Sequence, residues 1–156
     1  MRAITLVAGG LLLVSCAPES KSPPPAAPKQ AEAPKPRDES RRFPMADLVD
    51  TKVAGSQLLG KPFMPGGTLA SYRKGKTEYS MFIAKLPSAP EAALLLLDWH
   101  KALDGAKLIP SFGGYFGRDA GRPVFVFTKD AWIAGVAGLP EKEADGKARA
   151  LAAHLD

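Results

Sequence analysis

The 156-residue chain has one cysteine, Cys16, and two histidines, His100 and His154. A lone cysteine excludes an internal disulfide and zinc sites built on several thiols. Neither histidine has an acid and a nucleophile arranged around it, and H-E-x-x-H and G-x-S-x-G patterns are missing. No apolar run reaches the roughly 20 residues that a membrane-spanning helix needs. No block of one charge stands out either. The 21 Lys and Arg residues are matched by 16 Asp and Glu, with the small excess spread along the chain. Nucleic-acid surfaces gather their basic residues on one stripe, so no nucleic-acid partner is expected. The residues imply no metal and no cofactor.

A local shortage is equally informative. Residues 17–42, "APESKSPPPAAPKQAEAPKPRDESRR", contain no Leu, Ile, Val, Phe, Tyr or Trp, and hold seven prolines. Such a stretch buries too little apolar surface to offset a backbone ordering cost of about 1–2 kcal/mol per residue. Its prolines favour an extended chain of about 3.1 Å per residue. Six basic and four acidic side chains are interspersed rather than blocked. The segment is expected to be a disordered spacer.

The residues before it have a different pattern. Met1-Arg2 gives a positive start, Ile4 to Val14 is apolar with one polar interruption at Thr5, and Ser15 is small. That layout is a secretory signal peptide. Its end, Leu13-Val14-Ser15-Cys16, resembles the lipobox of bacterial lipoproteins. The resemblance implies that Cys16 receives a diacylglycerol and that residues 1–15 are removed. It also implies that the acylated Cys16 anchors the chain to a membrane, several acyl chains giving stable attachment. In that family Asp after the cysteine tends to retain a protein at the inner membrane. Ala17 stands here, which favours an outer membrane facing the periplasm in a two-membrane host.

Residues 43–156 remain for one folded domain, enough for a single core without disulfides. "TLASYRKGKTEYSMFIAKL" reads as a hairpin, with arms Leu69 to Arg73 and Glu78 to Leu86 around a turn at Gly75. A short strand is expected near Lys52 to Ala54, after one helical turn, and a loop over Gly60 to Gly67. Ser88 and Glu91 have capping-box spacing, and Ala92, Leu95, Leu96, Trp99, Ala102 and Leu103 make a helical stripe that Gly105 would end. Leu94 to Leu97 exceed one stripe, so the helix packs on more than one side or shows an apolar edge. Three strands follow, Tyr115 to Arg118, Val124 to Thr128 and Ala131 to Ala137. A last helix opens at Pro140. Hairpin-linked strands separated by helices predict an α+β domain, a mainly antiparallel sheet with two helices on one face. The closing hairpin and helix, "VFVFTKDAWIAGVAGLPEKEADGKARALAAHL", resemble the C-terminal part of several uncharacterised exported bacterial domains. That resemblance rests on pattern and carries no activity.

The stretch "SFGGYFGRDAGR" is the best candidate for a surface with a task. It is neither a dinucleotide fingerprint nor a phosphate loop. Its aromatics beside arginines fit an interface or ligand lip made of Tyr115, Phe116, Arg118 and Arg122. Asp119 and Asp130 would make a carboxylate pair only if their turns met. The function expected is a non-enzymatic binding or accessory module for an envelope protein complex, held on a long tether. The alternative is a lipoprotein holding a small or lipidic molecule against the sheet. For an enzyme with an unfamiliar site, His100, Arg118 and Asp119 would be the first residues to test.

Overall fold

The computed structural model describes residues 35–156. Cys16, the expected signal peptide and most of the expected spacer lie outside the described residues. Seven strands form one sheet in the order β1-β2-β3-β7-β6-β5-β4, every neighbouring pair antiparallel. They are β1 (Leu48–Ser56), β2 (Pro65–Lys74), β3 (Thr77–Lys85), β4 (Asp104–Ile109), β5 (Gly114–Asp119), β6 (Arg122–Lys129) and β7 (Trp132–Ala137). Two meanders therefore meet at the β3–β7 pair. Helix α1 (Ala89–Ala102) carries the chain from β3 to the far edge, and α2 (Glu141–Ala152) follows β7. The predicted α+β domain with an antiparallel sheet and two helices is what forms.

The helices do not share a face, and here the expectation is corrected. Leu95, Leu96, Trp99 and Leu103 of the α1 region pack with Phe82, Val124, Val126 and Ile133. Ala144, Ala148, Leu151 and Leu155 of the α2 region pack with Met81, Ile83, Phe125, Phe127 and Val136. Neighbours along a strand point to opposite sides, so these are the two faces of β3, β6 and β7. Central strands that are apolar on both sides need a cover on each. Burying each of these large side chains contributes roughly 1.5–3 kcal/mol.

The local signals decide where α1 starts. Ser88 has extended backbone and accepts from the Glu91 N–H at 3.4 Å, leaving Pro90 in the first turn. The other end differs from expectation. Leu103 is the C-cap, while Gly105 lies inside β4, where its positive φ of 62° fits a register irregularity. Strand β4 went unpredicted. Strand β1 is three times the expected length and replaces the expected helical turn, and β2 begins inside the expected loop at Pro65. Pro140 caps α2 from outside instead of opening it. Leu94 and Leu97 are 63% and 47% exposed, so α1 has the apolar edge that its four leucines allowed.

Residues 39–42, the end of the expected spacer, pack on the domain. A 3₁₀ turn at Ser40–Arg42 lies across the α2 face, with the Glu39 N–H donating to Thr68 and the Ser40 and Thr51 hydroxyls hydrogen-bonded at 3.1 Å. The Arg42 guanidinium sits 4.8 Å from the Trp132 ring centre and donates to the His154 carbonyl. Phe43 is fully buried.

Tyr72 and Tyr79 stack beneath this segment at 4.9 Å, and the Tyr72 hydroxyl donates to the Pro44 carbonyl at 2.9 Å. Burial, and then the neighbouring Tyr79, push the Tyr72 phenol well above its ordinary 10. The folded chain keeps this proton to higher pH than the unfolded chain does. Its contribution is thus complete below about pH 10 and is lost as pH climbs from there toward the raised folded value. Tyr72→Phe is expected to cost about 1 kcal/mol near neutral pH, since Pro44 loses its donor. It should also flatten the alkaline fall in stability. Urea unfolding at stepped pH reads both effects.

Candidate functional site

The four lip residues do not form one surface. They lie on or beside the β5–β6 hairpin, where alternation separates them. Tyr115 is on the α1 face, its ring 4.5 Å from the exposed His100 ring and tilted by 39°. Phe116 is on the α2 face, packed against the core there. Arg118 is exposed and donates to the Gly121 carbonyl at 3.0 Å, bracing its own turn. Arg122 starts β6 and reaches across β7 to β3, donating to the Ser80 hydroxyl at 3.1 Å and to the Ala137 carbonyl at 3.2 Å.

Arg122 leads to a place the sequence did not single out. Helix α1 reaches as far as Phe82 of β3, and Leu58 and Met64 from the segment between β1 and β2 cover the sheet beside it, but the part of this face around Ser71, on the β1 side, is left open. A groove of about 260 Å³ lies there. Leu59 and Leu69 give it apolar walls, and Ser71, Ser80 and the Arg122 guanidinium supply polar groups. Arg73 and Glu78, paired at 2.6 Å, lie at one end and Val49 on the β1 side. The arrangement can hold a small molecule with one anionic group near Arg122 and a short apolar portion against Leu69. Only the alternation of Leu69, Ser71 and Arg73 on one strand face could have signalled it, and that pattern is common on exposed sheet.

The residues proposed for an enzyme do not converge. Asp119 forms an ion pair with Lys61, whose ammonium lies 5.9 Å from the Trp99 ring centre. Arg118 is committed to Gly121 on the other face. His100 meets Tyr115, not Asp119. Asp119 and Asp130 sit at opposite ends of the eight-residue β6, about 25 Å apart along an extended strand, and cannot pair. Among the described residues, no three His, Cys, Asp or Glu side chains gather as metal ligands, and no helix is long and apolar enough to cross a membrane.

No protein-family model matches this chain, and no curated protein matches it.

Proposed function

We propose that this is a lipid-anchored cell-envelope protein whose folded part is a non-enzymatic binding module for an envelope complex. The observation that carries the proposal is Leu13-Val14-Ser15-Cys16 at the end of an apolar leader, followed at once by a proline-rich spacer. The acyl chains on Cys16 hold the protein at the membrane, an outer membrane facing the periplasm in a two-membrane host. The spacer lets the domain search a volume in which its partner is concentrated. The exposed leucines Leu94 and Leu97 of α1, with Leu108 of β4 51% exposed on the same face, are the apolar contacts such docking uses.

A second reading rests on the Arg122 groove. There the domain holds a small anionic or lipidic molecule and presents or stores it at the envelope.

One experiment addresses both. The full chain and its Cys16→Ser form are expressed in a two-membrane bacterium, the membranes are fractionated, and the protein is weighed intact and under native conditions. The expected mass is that of the chain from Cys16 onward plus diacylglycerol and an acyl group. Cys16→Ser should move the protein out of the membrane fraction almost completely. Cleavage elsewhere without lipid would overturn the anchored reading. A retained small molecule that disappears in Arg122→Ala would promote the second reading, and a bare native mass would retire it.

A further inference from the structure

The sheet has two edges, and they are managed differently. Strand β4 is six residues long, with an irregular register between Asp104 and Lys107 that spoils it as a template. Strand β1 is nine residues long; its register shifts once near its start, between Leu48 and Asp50, and from Asp50 to Ala54 it pairs with β2 without interruption. Among the described residues, no strand lies on its outer side. Alternate N–H and C=O groups of this stretch therefore point away from the sheet, as an open template for another strand.

Its charges are arranged in a particular way. Asp50 and Lys52 flank Thr51, and they lie on the same face, opposite Ser71 and Leu69 of β2. Neither has an ion-pair partner among the described residues. A strand that reads acid, neutral, base complements itself when reversed. If a second copy lies antiparallel with Thr51 opposite Thr51, each Asp50 falls opposite a Lys52. Both pairs then sit on the same sheet face. Val53, 45% exposed, is shielded by the added strand.

We infer that β1 is a homodimer interface, in which two copies pair antiparallel about a two-fold axis at Thr51 and join their sheets into one. The contact is isologous and closed, so it uses up the edge without growing into a fibre. The chain's path fits. The Ser40 hydroxyl is hydrogen-bonded to that of Thr51, so the segment leading back to the N-terminus passes beside the proposed axis on the α2 face of each copy. A perpendicular two-fold keeps both segments on that one side. On the anchored reading above, both tethers then run toward one membrane.

The test uses the full chain in the Cys16→Ser form, which removes the other thiol and keeps the outcome independent of the anchor. Thr51→Cys is placed in that chain and oxidised mildly, and disulfide dimer is quantified. Opposed residues of antiparallel strands have a Cα spacing that a disulfide can span. Val53→Cys is the contrast. In the proposed register its two copies are about 13 Å apart, beyond disulfide reach. The expected result is dimer from Thr51→Cys and little from Val53→Cys. In the Thr51→Cys chain, Asp50→Lys or Lys52→Asp alone should cut the yield about tenfold, because two cross-strand pairs change from attraction to repulsion. The double exchange, Asp50→Lys with Lys52→Asp, restores complementarity and should restore the yield. No dimer from Thr51→Cys, equal dimer from both cysteine positions, or a yield indifferent to the charge reversals would each overturn the inference.

Discussion

Trp99→Ala will destabilise the domain by about 3–5 kcal/mol, a large part of the stability a domain of this size has. Trp99 of α1 is fully buried and touches both β3 and the segment between β1 and β2. Its indole N–H donates to the Met64 sulfur at 3.1 Å. Its ring stacks on Phe82 of β3 with centres 5.6 Å apart, and meets the Phe63 ring at right angles at 5.5 Å. Lys61 lies over the same ring on its way to Asp119. The indole is therefore what fixes the segment between β1 and β2 against α1. Truncating it removes the apolar contacts, leaves a cavity under the helix, and frees Lys61, Phe63 and Met64 together. Urea unfolding of the full chain gives the magnitude. Hydrogen exchange should show the segment around Leu58 to Met64 opening ahead of the sheet. Leu97→Ala on the exposed side of the same helix should stay within about 0.5 kcal/mol. Equal costs at the two positions would mean that α1 is held by general apolar contact, not by this tryptophan.

The start of α1 was legible because its code is local: Ser88 and Glu91 lie within one turn and act on each other. The β2–β3 and β6–β7 hairpins were legible for the same reason, since turn residues and alternation sit close together. The edges were not. Strand β4 has one buried side chain, Ile109, and mostly exposed neighbours, so it carries no alternation. Gly105 in front of it reads as a helix stop when only sequence is considered. Strand β1 is exposed or half-buried throughout, and "MADLVD" has no pattern that separates strand from helix. What places these segments in the sheet is the partner strand, a long-range fact.

The division of the helices between two faces was written in the sequence in a form that local reading underuses. Val124 and Val126 alternate with Phe125 and Phe127, and Met81 and Ile83 with Phe82. Large apolar side chains on both sides of three strands require two covering layers, and the chain has two helices to provide them. The same alternation separates Tyr115 from Phe116, so two adjacent aromatics could not make one lip. The groove at Arg122 depends on where α1 stops covering the sheet, which no single stretch encodes.

Gly135 is where the close packing of this sheet is most exposed to test. It lies in β7 between Ala134 and Val136, opposite Phe82 on one neighbour and Val126 on the other. A Cβ built there would be 2.4 Å from the Phe125 carbonyl oxygen and within 2.4–2.6 Å of the Phe82 ring. The Phe82 ring thus occupies the space that a side chain at 135 would take, and from there it reaches Trp99. Gly135→Ala is expected to cost about 1–3 kcal/mol, through displacement of Phe82 and strain at the Phe125 carbonyl. The two causes can be separated. Phe82→Leu removes the ring tip but not the carbonyl, so in the Phe82→Leu chain the added methyl should cost less than in the parent. A double-mutant cycle by urea unfolding then gives a coupling of about 0.5–3 kcal/mol between the two sites. A coupling near zero would assign the whole cost to the backbone contact, and Gly135 would then be a constraint on strand spacing, not the seat of the Phe82–Trp99 stack.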